Sequence, residues 1–586
     1  MEICFDPAYY LTAILSECAH QTGLGETFDP MLRAADPRFG DFQANGVLPW
    51  AKQEKRNPRE VATQLLEALN AGSKLDESLV ECSIAGPGFI NFKLTPKFLL
   101  GWMQHYRTAE DFAKQAASFE QGRHIVVDFS APNTAKQMHV GHIRSTVIGE
   151  AISRLLEFFG AEVVRDNHIG DWGTQFGMLI WAIKDSGYDL DAEHKDALAD
   201  LEGLYKAGNA AYKSSEATAD SVRNELVKLQ NGDPENTRMW ERITEISWVA
   251  FKDIYDRLGI RFDEVLGESF YRDKVERIYE ELTELNLAEE SQGALVVFHP
   301  EHKRFATQPF IVRKADGASN YATTDLATIL YRYETFNADE VIYVVDARQS
   351  DHFEQLFLTT QKWFAGMNRV QPKLAHVSFG TINGEDGKAI KTKEGGSVKL
   401  KELMAEAVER SYGIVTEKNP DLPEAERREI AEAVGLGAIR YTDLSQNRSS
   451  DYIFSWEKML SFEGNTAPYL LYAVARIYSI FRKAELAPGA SEETADAFST
   501  EEEMTLARKL LGFTTALKQA RSDLRPHFLC SYLYELSGAF SSFYNANKVI
   551  VDEPEIKARR LMLCSRTLTV LETGLNLLGL KTLQRM

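Results

Sequence analysis

The chain has 586 residues, a formal net charge of −20, and hydrophobic and charged fractions of 44% and 26%. That length exceeds what one hydrophobic core organises, so three or four domains are expected, and the composition excludes disordered and fibrous classes. The acidity counts against a protein that coats DNA or RNA non-specifically, although an acidic enzyme can keep a local basic face for one chosen nucleic acid.

The opening MEICFDPAYY has no basic segment followed by an apolar one, so the expected compartment is the cytoplasm. Residues 1–114 read as a small α+β domain. Arg59 to Leu69 has apolar residues at helical spacing, and Ile84 to Leu94 (IAGPGFINFKL) reads as a turn leading into a strand. A polar stretch near Ala109 to Gly122 links it to the next domain. At His124 the pattern changes: HIVVDFS is the β-branched run of a buried parallel strand, SAPNTAKQ a loop, and Val147 to Phe159 a helix that Gly160 ends. VIYVVD at Val341 to Asp346 is a second such strand. Strand–loop–helix units of this kind predict a doubly wound α/β domain over 115–400, with an exposed helical insertion at about 185–290. Beyond Lys401 strand-like runs are few. A connecting helical region over 401–460 and an α-helical domain over 461–586 are expected, with helices at Leu470 to Phe481, Glu501 to Ala520, Phe528 to Asn547 and Ile556 to Leu578. The longest apolar stretch, Ala467 to Ile480, is broken by tyrosines and Arg476, short of the roughly 18 uninterrupted residues of a membrane span. No membrane partner is expected. The five cysteines are scattered without metal-ligand spacing, so neither zinc nor a disulfide framework is expected.

The sharpest local signal is His139-Val140-Gly141-His142, between the first strand and its helix. A helix N-terminus there presents free N–H groups and a positive dipole end to phosphate. Gly141 lets a flat purine approach the backbone, the two histidines can donate to phosphate oxygens, and Lys136 can add a full positive charge. By itself an H-x-G-H element is shared by several nucleotidylyltransferases, and two structural histidines remain an alternative.

The surrounding stretch, DFSAPNTAKQMHVGHIRSTVIGEAISRLLEFFGAEVVRDNHIGDWGTQFG, closely resembles the active-site region of class I arginyl-tRNA synthetases. The resemblance continues through YATTDL at Tyr321 to Leu326, IYVVDARQSDHFEQLF at Ile342 to Phe357, and the C-terminal LSGAFSSFYNANKVI and RLMLCSRTLTVLETGLNLLGL. It covers nearly the whole chain. It implies a Rossmann-type catalytic domain, an N-terminal domain that contacts the tRNA elbow, and a helical anticodon-binding domain. It also implies ATP as a substrate with Mg²⁺ on its phosphates, L-arginine, tRNA(Arg) rather than DNA, a monomer, and a first step that needs tRNA. Catalysis is then assigned to Lys136, His139, His142 and Lys391.

ATP contacts fall to His139, Gly141, His142, Phe379, Gly380, Thr381, Ile382, Lys391 and Lys393. The last two lie in AIKTKEGGSV, the counterpart of the family's KMSKS loop, where Glu394 stands in place of the second lysine. Lys136 is assigned the missing charge. A guanidinium is a planar fork best met by carboxylates. The resemblance gives that role to Asp325 with Tyr321 one turn before it, and places Asp128, Asn133, His142 and Gln349 around the rest of arginine. Tyr544, Arg559, Arg560, Arg566 and Met586 are the expected tRNA contacts. Two rival readings stand beside this one: an H-x-G-H enzyme acting on a small molecule without RNA, and a synthetase-like binding protein, which Glu394 favours.

Overall fold

The structure, a computed structural model, describes residues 3–36, 38–71, 75–315, 321–384, 386–388, 390, 398–490 and 497–586. The chain forms two compact units. One comprises Met1–Ala116, Phe462–Asn576 and Lys581–Met586; the other comprises Ala117–Ser461 with Leu577–Leu580.

The second unit is built on β1 (His124–Asp128), α1 (Val140–Phe158), β2 (Glu162–Asp166), α2 (Tyr321–Phe336), β3 (Glu340–Tyr343), α3 (Ser350–Gly366) and β4 (Lys373–His376). The strands are parallel in the order β4-β3-β1-β2. Ile125, Val126 and Val127 are buried, because helices cover both faces and neither can be polar. Strand order reverses between β1 and β3, so the crevice beyond Asp128 and Tyr343 is the ligand position of such sheets. α1 is central, and its Gly149 is required because a Cβ there would enter the Phe129 ring.

Beneath the crevice Arg332 of α2 is fully buried. Its Nη2 lies 2.7 Å from both Asp128 and Asp166, at the ends of β1 and β2. The insertion contains helices Ala197–Ser214, Glu216–Gln230 and Pro234–Leu258 around Phe176, Ile180, Leu201 and Ile243. Its last helix sends Tyr255 back to Ser130 at 2.8 Å. A three-stranded antiparallel sheet (Ala288–Ser291, Ala294–Val297, Phe310–Arg313) was not foreseen; its strands are four residues each, and AEES carries no β pattern.

In the first unit, a four-stranded antiparallel sheet and its helices pack with the C-terminal helices. The IAGPGFINFKL segment is a hairpin: Val80–Ala85 pairs with Phe89–Leu94. The expected helix from Glu501 is two, Glu501–Leu511 and Phe513–Ser522, divided at Gly512. Arg508 pairs with Asp41 at 2.9 Å and Lys518 with Asp6 at 2.7 Å, while the Phe112 and Phe513 rings meet at 5.5 Å. Among the described residues no helix is long and apolar enough to cross a membrane.

Two expected tRNA contacts need correction. Arg566 is buried and donates to the Met103 carbonyl at 2.6 Å, and Arg559 is buried against Glu503 at 2.9 Å. Arg560, half-buried, shares that carboxylate at 2.7 Å. These guanidinium groups hold the bundle together, because a charge inside a helical core persists only when paired. Glu503 is itself fully buried. Glu503→Ala strands its two partners, so urea unfolding should show a loss of about 3–5 kcal/mol. A loss under about 1 kcal/mol, the level of a surface pair, would contradict this assignment.

Candidate active site

The loop from β1 to α1 is conformationally costly. Ser130, Ala131 and Ala135 have φ of 75°, 45° and 60°, a left-handed region that non-glycine residues avoid. Side chains from elsewhere hold it: the N–H groups of Ser130, Ala131 and Ala135 donate to Ser145 Oγ, Asn167 Oδ1 and Ser247 Oγ at 2.8, 3.1 and 2.9 Å. The loop therefore delivers His139 to the N-terminal cap position of α1 in one conformation.

His139 and His142 cap that helix reciprocally. His139 Nδ1 accepts from the Gly141 N–H at 3.1 Å, and His142 Nδ1 accepts from the His139 N–H at 3.0 Å. A Cβ at Gly141 would sit 2.9 Å from the His139 ring, so the close turn needs glycine. A ring nitrogen that accepts a main-chain N–H is unprotonated, so each neutral ring carries its proton on Nε2. Burial pushes His142 down to about 3 and also lowers His139, where the Lys399 and Arg348 charges add to the effect. The pair thus offers two uncharged donors at the positive dipole end of a 19-residue helix, a suitable seat for phosphate.

Phe379 to Ile382 lies beside this cap. Phe379 bridges Asp346 beyond β3, Gly380 N–H donates to the Arg448 carbonyl at 2.9 Å, and Thr381 N–H donates to Asp451 at 2.6 Å. Arg144 of α1, fully buried, binds Asp443 at 3.2 Å and the Ser450 and Arg448 carbonyls at 3.1 and 3.3 Å. Lys391, Lys393 and Glu394 lie outside the described residues. The chain just after them is pinned to the cap, since Val140 N–H donates to the Val398 carbonyl at 2.9 Å and Lys399 bridges His139. Lys136 is not aimed at the phosphate seat; its ammonium rests over the Tyr205 ring at 4.7 Å.

An acidic pocket lies on the other side. Tyr321 and Asp325 stand one turn apart on α2, Tyr321 being 70% exposed, and Asp325 Oδ2 meets His352 Nε2 at 2.5 Å. The IGDWGTQFG stretch positions a further carboxylate. Asp171 accepts from Ser269 N–H and Oγ at 2.8 and 2.6 Å, and the Ile169 carbonyl accepts from Glu268 N–H at 3.1 Å. Burial pushes Glu268 up to about 7, with Asp171 and Asp325 reinforcing the shift and His168 opposing it. The Tyr321 hydroxyl is raised by Glu268 first, then by burial and Asp325. Asp128 does not line this pocket as a free carboxylate: it is buried and paired with Arg332, a correction to its expected place around arginine. Asn133 and Gln349 are exposed, Asn133 bridging Gly170, where a Cβ would collide with its amide oxygen.

Glu268, His352 and Arg144 escaped the sequence reading. Arg144 left a trace, a lone charge in the apolar run VGHIRSTVIG. Glu268 and His352 left none, because their partners are far away in the chain. In the helical domain, Arg476 stacks over Tyr472 at 4.8 Å and approaches Tyr544 at 5.9 Å, an aromatic–guanidinium surface with Tyr472 42% exposed. Met586 is half-buried. Among the described residues no group of three or more His, Cys, Asp or Glu gathers to hold a metal ion.

The family described as tRNA synthetases class I (R), catalytic domain, matches residues 108–456; the arginyl tRNA synthetase N terminal domain matches 10–94, and the DALR anticodon binding domain 470–586. An arginine–tRNA ligase of Chromobacterium violaceum is 45% identical over 94% of this chain and 95% of that protein. One from Citrobacter koseri is 42% identical over 98% and 100%. The solved arginyl-tRNA synthetases of Plasmodium falciparum and Thermus thermophilus superpose with TM-scores of 0.83. Their identities are 29% and 25%, covering 99% of this chain and 99% and 100% of theirs. With three domain families matched in order and relatives aligned over nearly the full length, the chain belongs to the arginyl-tRNA synthetases of class I.

Proposed function

We propose that the chain joins L-arginine to tRNA(Arg) at the cost of ATP, in two steps on one site. The carrying observation is the placement of two capped, uncharged histidines at the switch point beside a pocket whose carboxylates suit a guanidinium. In the first step an arginine carboxylate oxygen bonds to the α-phosphorus of ATP and pyrophosphate leaves. In the second a terminal ribose hydroxyl of the tRNA attacks the adenylate carbonyl and AMP leaves. The enzyme contributes position and charge stabilisation and needs no nucleophile of its own.

The Nε2–H groups of His139 and His142 donate to phosphate oxygens, and the Phe379–Ile382 segment, with Gly141, receives the adenosine. Lys391, Lys393 and Lys136 supply positive charge to the leaving pyrophosphate, Lys136 by leaving the Tyr205 face. Asp325, Glu268 and Tyr321 hold the guanidinium. Asn133 and Gln349 hold the α-amino and carboxylate groups, while Asp128 acts through Arg332 as scaffold. Tyr472, Arg476 and Tyr544 form a stacking face for unpaired anticodon bases, with the Met586 terminus beside them; every base offers a π-face to such a surface.

Pyrophosphate exchange into ATP, measured for each standard amino acid with and without tRNA(Arg), tests the reading. Exchange is expected with arginine, and only when tRNA is present; no exchange with any amino acid would sink it. Asp325→Asn removes one charge-assisted contact and should raise the arginine KM by about 10- to 100-fold, the scale of 1.5–3 kcal/mol for such a bond. An unchanged KM would move the guanidinium elsewhere.

Glu268 makes the pocket proton-linked. In the free enzyme it is protonated below about 7. A bound guanidinium favours the carboxylate, so arginine affinity falls as pH drops below about 7, and binding at neutral pH releases a proton. Calorimetry in buffers of differing ionisation enthalpy should show that release, and Glu268→Gln should abolish it. Release undiminished in the variant would point to another group.

A further inference from the structure

Two lysines beside the histidine turn rest on one helix of the insertion. On Ala197–Ser214, Tyr205 lies beneath the Lys136 ammonium at 4.7 Å, and Glu202 receives Lys399 Nζ at 2.5 Å. Residues three apart share a helix face, so the two resting places are neighbours. All of these residues belong to the unit Ala117–Ser461.

The main chain sets Lys399 against the turn. Leu400 N–H donates to the Met138 carbonyl and Val140 N–H to the Val398 carbonyl, both at 2.9 Å, so His139 and Lys399 stand opposite in an antiparallel bridge. A pair flanked by its hydrogen bonds in this way has Cα atoms about 4.5 Å apart, with both side chains on one face. The Lys399 charge is felt at His139, where it follows burial among the causes that lower the ring.

Glu202 is amply supplied with donors. Besides Lys399 it pairs with Lys206 at 3.0 Å and accepts from Gln137 N–H at 3.4 Å. Burial acts to raise its carboxyl, but Lys399, Lys206 and Gln137 N–H outweigh that and lower it. Two lysines on one carboxylate leave a cation to spare. Lys399 can therefore turn to another anion without stranding Glu202, which keeps Lys206 and Gln137. A polyphosphate sets several charges against the single one of a carboxylate, so it competes well for the ammonium.

We infer that Lys399 is a further phosphate-binding residue of the nucleotide seat, and that Glu202 is the positioning residue that holds its ammonium until a polyphosphate displaces the carboxylate. The inference rests on the proposed function, since it takes the His139–His142 turn to hold ATP. It gives the helical insertion a part in nucleotide binding.

The test uses the full chain with saturating tRNA(Arg). It reads arginine-dependent pyrophosphate exchange, the KM values for ATP and arginine, inhibition by adenosine, and the thermal midpoint. Lys399→Met should raise the ATP KM about 10- to 100-fold, the scale of a lost charge-assisted bond. The arginine KM and inhibition by adenosine, which carries no phosphate, should stay within about two-fold of the unaltered chain, since neither ligand meets Lys399. Lys399→Arg keeps the charge and should recover most of the loss. Glu202→Gln frees the ammonium and should act in the opposite direction, lowering the ATP KM about two- to five-fold even where the midpoint falls. The reason is that apparent affinity is reduced by the fraction of molecules held in the non-binding state. A purely structural pair would instead raise the ATP KM alike in both variants or change it in neither, and either result overturns the inference. Should Lys399→Met not fold, the sign of the Glu202→Gln change decides. Absence of exchange in the unaltered chain would overturn the functional reading beneath it.

Discussion

Arg332 fixes the geometry on which both halves of the site depend. Two carboxylates, Asp128 and Asp166, end adjacent strands inside the protein, where neither is tolerable as an isolated charge. One guanidinium pairs with both, and it comes from α2, seven residues after Asp325 and therefore on nearly the same helix face. The ion triad consequently sets the helix that carries Asp325 and Tyr321 against the strand whose loop carries the His139–His142 cap. Beyond Asp166 the chain runs directly into the stretch that positions Glu268, so that carboxylate shares the same reference point.

Around this anchor the two pockets use opposite electrostatics. On the proposed assignment the nucleotide side relies on uncharged donors and a helix dipole, with cationic side chains adding to them. The amino-acid side concentrates carboxylates, one of them costly to ionise until a cation arrives. Placing an anion-seeking surface against a cation-seeking one suits substrates of opposite charge that must meet at phosphorus. Selectivity for arginine over lysine then follows from geometry, because several fixed acceptors match a planar fork better than a point charge.

How much of this was legible depended on distance along the chain. The strand at His124–Asp128, the histidine cap and the helix end at Gly160 are local, written in β-branched runs, a tetrapeptide and a glycine. Glu268 pairs its chemistry with residues in two remote segments, and no periodicity announces that. Arg559 and Arg566 misled because arginines in a terminal helix resemble an RNA-facing surface. The run ARRLMLCSRTLTVL is largely apolar around its arginines, and that was the signal that they turn inward. The shared packing of the N-terminal domain with the C-terminal helices was invisible, since Arg508–Asp41 and Lys518–Asp6 link residues more than 400 positions apart.

The reciprocal histidine cap has a consequence for how this site is probed and how it behaves. Each ring spends one nitrogen on the main chain and keeps one for the ligand, which makes it chemically closer to an amide than to a titrating base. Alanine at either position would remove a helix cap and a phosphate donor together, confounding stability with catalysis. Asparagine, with an acceptor and a donor on one short side chain, is the replacement that can separate them. The same arrangement keeps the exposed edge of the histidine pair uncharged through the neutral range, so on the proposed assignment the sensitivity to acidity resides in the grip on the amino acid and not in the grip on the nucleotide.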